Sequence, residues 1–366
     1  GQYLSNLRGF KPAKAPFELS LDLSASPDYL QIRDLKLLWA DAELQGRGQW
    51  ALSDTASGSA IELELNSSRL SSLGELDALT LPDAPLRLTA KVVPGAGEGF
   101  KVPNLAMDVL DGKITGQVSY GATPKPSISA DLVATGLDFR PLIRESESSV
   151  DTAAAPSTVS LGRVIPDQRV PVEVLRRFDA ELRFSGSGLH YPDPGFPGKV
   201  LLRDLELAAQ LSDGRLDVGR FDAVGDHGDL SIQGMLDGSQ AIPELSVKAQ
   251  TEAFKFGLLA SEDGLEALPT NQIGFEVEAR GSTVRELAAT ANGQLRIIGG
   301  SGLTANTGLD QKLGSFGFDL LNTVNPFTAR EAHTSIDCWS AAFVIEDGVF
   351  KMHPGMALRT DRVDIT

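Results

Sequence analysis

The sequence predicts a mainly β fold, a long antiparallel sheet of repeated hairpins accompanied by a few short helices. Three observations predict it. Apolar and polar residues alternate over many short segments, Asp-Gly and Asn-Gly pairs separate those segments, and one hairpin pattern recurs along the chain. Alternation with a period of two residues and one polar side is typical of antiparallel strands that bury a single face.

The alternation is clearest in "IELELNS", where Ile61, Leu63 and Leu65 lie on one side of the segment and Glu62 and Glu64 on the other. The same pattern places further apolar residues on one side of their segments: Leu86, Leu88, Ala90 and Val92; Leu205, Leu207, Ala209 and Leu211; Leu245, Val247 and Ala249; Phe275, Val277 and Ala279. Each segment is therefore expected to be a half-buried strand.

Tight turns are predicted where an Asp-Gly or Asn-Gly pair separates two such segments. These pairs supply the positive φ angles that two-residue hairpin loops need. The pairs are Asp111-Gly112, Asp213-Gly214, Asp237-Gly238, Asn292-Gly293 and Asp347-Gly348.

A loose internal repeat also indicates hairpins. Residues 30–52 and 101–121 share one plan, a strand, a turn and a second strand that ends near a Gly-x-hydrophobic pattern, and residues 202–238 follow it with an insertion. Another amphipathic strand follows each copy. Repeated units of this kind are expected to bury their apolar sides by sharing a sheet with their neighbours.

Helical signals are few and short. The 4-3-4 spacing of Leu309, Leu313, Phe316 and Leu320 predicts one helix. Shorter helical turns are expected at Leu70–Leu79, Pro171–Arg177 and Thr283–Thr290.

A polar segment rich in small residues, 144–170, is predicted to be a flexible linker or insertion. It divides the chain into a first β-repeat region, 1–143, and a second, 171–366. The second region stops within a strand-like pattern, so we expect its sheet to continue beyond Thr366.

The charge and the cysteine content exclude several classes of protein. Lys and Arg number 33 against 49 Asp and Glu, a net charge of −16, whereas nucleic-acid binding needs Lys and Arg to replace counterions. A single cysteine forms no internal disulfide. No window reaches the roughly 18 apolar residues of a membrane span, and "GQYLSNLRGFKPAK" is not a signal peptide. An anchor or export signal is therefore expected outside this sequence.

The residues that could carry chemistry are scattered. Cys338 with His333 or His353 would form a hydrolase nucleophile and base, but a free cysteine on a strand is more often a buried core residue, and we expect that of Cys338. The acidic stretch 219–229 lacks the order of a calcium loop and is expected to be a strand followed by a tight turn. No catalytic residue, metal site or cofactor is predicted.

The apolar sides of the strands allow two interpretations. They could fill a closed sandwich core and bind nothing, or they could line an open, curled sheet that receives acyl chains. The pattern alone favours the filled core, because alternation marks only a buried face.

The sequence resembles the AsmA family of bacterial envelope proteins. The resemblance is most specific over 281–366, in "GSTVRELAATANGQLRI", "LLNTVNPF" and "SIDCWSAAFVIEDGVFKMHPGMALRTDRVDIT", which are similar to that family's helix, Asn-Pro-Phe, cysteine and Asp-Gly hairpin segments. Residues 163–189 and 29–52 are similar to its hinge and to its generic hairpin.

The resemblance implies a sheet curled into a groove that binds phospholipid acyl chains and supports their transfer toward the outer membrane without catalysis. It also implies a periplasmic location, an inner-membrane anchor outside this sequence, and outer-membrane or envelope protein partners. The residues expected to line the groove are Leu63, Leu65, Leu88, Val92, Leu205, Leu207, Val247 and Val277. The alternative is a structural β-rich envelope scaffold or protein-interaction module with a filled core and no lipid.

Overall fold

The computed structural model of the chain describes residues 10–52, 58–76, 81–95, 98–140, 165, 167–193, 196–255, 269–305, 333–360 and 364–365. It is 71% strand and 6% helix, which confirms the predicted mainly β fold with a few short helices. The predicted helix at Leu309–Leu320 and most of the predicted linker at 144–170 lie outside the described residues.

The chain divides into two compact units. The first comprises Gly1–Gly162 and Arg177–Tyr191, and the second Arg163–Arg176 and Pro192–Thr366. The strands of the first unit are β1 (Phe10–Pro12), β2 (Phe17–Ala25), β3 (Tyr29–Trp39), β4 (Ala42–Ala51), β5 (Ala60–Ser67), β6 (Gly74–Leu76), β7 (Leu86–Pro94), β8 (Phe100–Val109), β9 (Gly112–Gly121), β10 (Ser127–Thr135) and β11 (Asp179–Asp193).

The main sheet of the first unit has the order β2-β3-β4-β5-β7-β8-β9-β10-β11, and β1 pairs separately with β6. Neighbours are antiparallel except β10 and β11, which run parallel. Parallel neighbours need a long crossover connection, which the chain between Thr135 and Asp179 provides.

The second unit contains α1 (Val172–Leu175), β12 (Phe196–Ser212), β13 (Arg215–Gly225), β14 (Gly228–Asp237), β15 (Glu244–Phe254), β16 (Asn271–Arg280), α2 (Val284–Ala289), β17 (Asn292–Gly299), β18 (Gly302–Ala305), β19 (His333–Glu346), β20 (Val349–Thr360) and β21 (Asp364–Ile365). Its sheet is antiparallel, in the order β12-β13-β14-β15-β16-β17-β19-β20-β21, with β18 beside β19.

Both sheets are open, because the described pairings run from one edge strand to the other without closing. This confirms the antiparallel sheet that the alternation predicts, and it shows that the sheet is open and not closed.

The helices are short. A 3₁₀ helix covers Leu70–Leu73 and is shorter than the predicted turn at Leu70–Leu79, because β6 begins at Gly74. In α2, the Thr283 hydroxyl caps the first turn by accepting a hydrogen bond from the Glu286 backbone N–H at 3.1 Å, and the Glu286 carboxylate accepts one from the Ser282 N–H at 2.6 Å. This exchange resembles a capping box, which satisfies backbone donors at the start of a helix.

Two of the predicted Asp-Gly turns form as expected. Asp213-Gly214 and Asp347-Gly348 are two-residue hairpin loops with positive φ at both positions. At Asp111-Gly112 the turn lies one residue earlier, since Leu110 and Asp111 have the positive φ values and Gly112 already belongs to β9.

The other two predicted turns are wrong. Asp237-Gly238 begins a longer connection between β14 and β15. Asn292-Gly293 starts β17 directly after α2, and Gly293 is paired on both sides, with Val277 and with Ile345. Glycine is needed there for close backbone approach, because an added Cβ would lie 2.0 Å from the Glu276 carbonyl oxygen.

A small cluster of buried side chains lies at one end of the first sheet. Leu110, Leu137 and Leu189 are almost fully buried there. Beside them, Asp138 accepts hydrogen bonds from Arg140 Nε at 2.8 Å and from the Arg140 backbone N–H at 3.0 Å. The side-chain hydrogen bonds of Arg140 are the main reason that the pKa of Asp138 is lowered to about 2.

Gly293→Ala is expected to lower the free energy of unfolding by about 2 kcal/mol or more, because the new methyl group overlaps the backbone of β16. Gly274→Ala on that strand is the matched control, since no atom lies within 4 Å of its Cβ position. Urea unfolding measures both variants. Equal midpoints for the two would contradict the close approach at Gly293.

Asp138→Asn is expected to lower the free energy of unfolding by about 1–2 kcal/mol at neutral pH. The folded pKa lies below the unfolded value of about 3.9, so this contribution is present above about pH 4 and is lost as the pH falls toward 2. Urea unfolding of wild type and variant at neutral and at acidic pH measures the difference. A stability difference that does not shrink in acid would exclude this role for the ion pair.

Candidate functional site

The strands of the first unit form one apolar face, which we call the first apolar face. Paired positions on successive strands align apolar side chains in rows that cross the sheet. One row comprises Leu19, Leu37, Leu44, Leu65, Leu88, Met107, Ile114 and Ala134, and the next comprises Leu21, Leu35, Gly46, Leu63, Ala90, Leu105, Gly116, Leu132 and Phe184.

The structure places the predicted residues of the first region on these rows. Leu65 and Leu88 are direct cross-strand partners, Leu63 is opposite Ala90, and Val92 is opposite Ile61 in the adjacent row. Side chains paired in this way are in contact across the strands. The four residues therefore belong to one continuous apolar surface.

The second unit has an equivalent surface, which we call the second apolar face. Val247 and Val277 are direct partners in the row Ala209, Val218, Gly234, Val247, Val277, Gly293, Ile345 and Phe350. Leu207 begins the next row, which continues through Phe221, Ile232, Ala249, Phe275, Leu295, Phe343 and Met352, and Leu205 lies opposite Ala223 in the row after that.

The eight predicted residues are all half-buried. A side chain sandwiched between two packed layers is normally buried. The largest fully buried side chains of the described residues are Leu137, Leu189 and Ile345, and Ile345 lies on the second apolar face. Half-burial of the eight predicted side chains leaves part of their apolar area available for contact with another apolar molecule.

Both faces become more exposed at one edge of their sheet. On β2, Phe17 is 70% and Leu19 55% exposed, and Leu21 and Leu23 are also exposed. On β20, Phe350 is 56% and Met352 51% exposed. Sequence reasoning did not select these edge residues, although "FELSLDLSA" carries the same alternation, because their exposure depends on which strand lies at the edge.

The opposite face of each sheet is polar and carries exposed ion pairs. Arg47 pairs with Glu62 at 3.2 Å and Arg87 with Glu64 at 3.1 Å in the first unit, and Arg220 pairs with Glu206 at 2.6 Å in the second. Such exposed pairs add little stability. Their role is to keep this face in water.

A cleft lies over the polar face of the first unit. It has a volume of about 790 Å³ and a mixed lining that includes Glu43, Asn66, Arg87, Asp108 and Lys113. Its lining carries side chains of both charge signs, unlike the mainly apolar lining that ligand pockets usually have.

Cys338 is exposed, so the expectation that it is buried is wrong. A register shift between Ile336 and Cys338 moves the alternation by one residue, and Cys338 pairs with Arg359 beside Trp339, which lies on the apolar face. His353 lies about 15–20 Å farther along β20 at the usual strand rise. Cys338 and His353 therefore form no nucleophile and base pair.

The acidic stretch 219–229 comprises the end of β13, a tight turn at Asp226 and His227, and the start of β14, which agrees with the predicted strand followed by a turn. The Asp226 carboxylate accepts a hydrogen bond from the Leu201 N–H at 2.9 Å, and His227 Nδ1 lies 2.8 Å from the Lys255 carbonyl oxygen. These side chains hold the turn to neighbouring strands. Within the described ranges, no group of three or more His, Cys, Asp or Glu residues is arranged to hold a metal ion.

Comparisons with protein-family models, with curated proteins and with solved structures find no match to this chain. None of the helices in the described part of the chain is long and apolar enough to cross a membrane.

Proposed function

We propose that the chain binds phospholipid acyl chains along its two apolar faces and supports their transfer in a bacterial envelope, without catalysis. The observation that carries this proposal is the set of half-buried apolar rows that cross each open sheet from strand to strand.

The rows suit acyl chains physically. Each buried CH₂ group contributes about 0.8 kcal/mol, so affinity grows with the length of chain in contact and needs no specific residue. The polar face of the same strands remains hydrated, which lets a phospholipid keep its head group in water while its chains lie against the sheet. An acyl chain held only by such contacts can move from one row to the next with little change in free energy.

The proposed location and partners rest on the sequence resemblance to the AsmA family. We propose a periplasmic protein that is anchored to the inner membrane by a segment outside this sequence and that works with envelope proteins. The part of the resemblance at 320–327 lies outside the described residues.

The test is binding of phosphatidylethanolamine by the purified chain, measured by native mass spectrometry and by lipid extraction. Leu65→Glu and Val247→Glu each place a charge on an apolar face and are expected to lower lipid occupancy about tenfold or more, because an acyl chain cannot compensate a desolvated carboxylate. Gln117→Glu and Gln250→Glu add the same charge on the polar faces, where Gln117 and Gln250 are exposed, and are expected to leave occupancy unchanged.

Circular dichroism checks that all four variants are folded. Absence of lipid from folded wild-type protein would contradict the proposal and would favour the filled scaffold. Equal losses from both pairs of variants would show that lipid binds through overall charge and not through the apolar faces.

A further inference from the structure

The second apolar face contains three polar side chains at one end. Asn271 lies opposite Gly299, and Gly299 lies opposite Trp339, so the three positions form one row. Thr251 is opposite Ile273, which places it diagonally from Asn271 on the same face, at about 7 Å.

Asn271 is 2% exposed and its orientation is fixed. Its amide nitrogen donates hydrogen bonds to the carbonyl oxygens of Phe254 at 2.9 Å and Pro269 at 3.0 Å. Both N–H groups are therefore used. The amide oxygen Oδ1 is buried and has no hydrogen-bond partner in the described part of the chain.

Thr251 resembles Asn271 in this respect. It is 8% exposed, and its hydroxyl oxygen is buried without a hydrogen-bond partner among the described residues. By contrast Ser67, the buried hydroxyl of the first apolar face, donates to the Arg69 carbonyl at 3.0 Å. A buried polar atom without a partner lowers stability, so two together on one face point to a missing partner.

Trp339 adds a donor to the same row. Its indole lies directly over Gly299, where an added Cβ would be 1.7 Å from Nε1. The indole N–H can only donate, the Asn271 oxygen can only accept, and the Thr251 hydroxyl can do either. A group that satisfies all three must both donate and accept a hydrogen bond.

We propose that Thr251, Asn271 and Trp339 bind an aliphatic hydroxyl group carried by a lipid on the second apolar face. This inference rests on the proposed function. A hydroxyl both donates to Asn271 and accepts from Trp339, whereas ester oxygens and ionised phosphate oxygens only accept. Trp339 is half-buried.

The hydroxyl has two chemical sources, the head group of a lipid and the acyl chain itself. Two pairs of lipids, with equal charge within each pair, distinguish these two sources of the hydroxyl. Monooleoylglycerol against methyl oleate tests a head-group hydroxyl, and hydroxystearic acid against stearic acid tests a chain hydroxyl.

The fluorescence emission of Trp339 can be used to measure lipid binding at this site. In a chain carrying Trp39→Phe and Trp50→Phe, the emission comes from Trp339 alone, since the chain has three tryptophans. Titration of each lipid then reports binding at this site. The hydroxylated member of at least one pair is expected to bind about three- to tenfold more tightly.

Thr251→Val and Asn271→Leu in this background are expected to remove the preference while the lipid without a hydroxyl still binds. Thr251→Val keeps the shape of the side chain, so it carries the test even if Asn271→Leu does not fold. Ser67→Ala, on the first apolar face, is the control and is expected to leave the preference intact.

Equal affinities within both pairs would overturn the hydroxyl site and leave the proposed function standing. A preference that survives Thr251→Val would also overturn it. If no lipid changes the Trp339 emission and none is recovered with the wild-type protein, the proposed function fails together with this inference.

Discussion

The structure depends on one constraint, that apolar and polar side chains alternate in register across hydrogen-bonded strands. A slip of one residue in any strand would transfer its apolar side chains to the hydrated face. The direct pairing of Leu65 with Leu88 and of Val247 with Val277 shows that the register is kept in both units. The apolar faces, the ion-paired polar faces and the proposed lipid binding all follow from it.

Bulges preserve this constraint where the alternation in the sequence is interrupted. In β3, β8, β13 and β15, apolar or face-lining residues are three positions apart instead of two, at Ile32–Leu35, Val102–Leu105, Val218–Phe221 and Thr251–Phe254. Each interval coincides with a register shift that inserts one extra residue. A one-residue bulge changes the alternation by one position, so both ends of the interval stay on the same face.

Sequence reasoning therefore predicted what depends on local pattern. The strands, the short helix at Thr283 and the faces of Leu63 and Leu205 follow from periodicity and capping. The exposure of Cys338 depends on a bulge near Ile336, and the strand position of Gly293 depends on pairing with two distant strands. The buried oxygens at Thr251 and Asn271 become visible only when β15 and β16 are aligned. These features rest on long-range contacts, which a local pattern does not encode.

The central claim is that lipid lies on the apolar faces of the sheets and not elsewhere on the chain. Photo-crosslinking from benzoylphenylalanine in the presence of phosphatidylethanolamine vesicles tests it most directly. Leu88 and Arg87 are adjacent in β7 and point to opposite faces, as do Val277 and Glu278 in β16. Phospholipid adducts are expected from positions 88 and 277 and none from positions 87 and 278. Equal adducts from both faces, or none from 88 and 277 in folded protein, would contradict it.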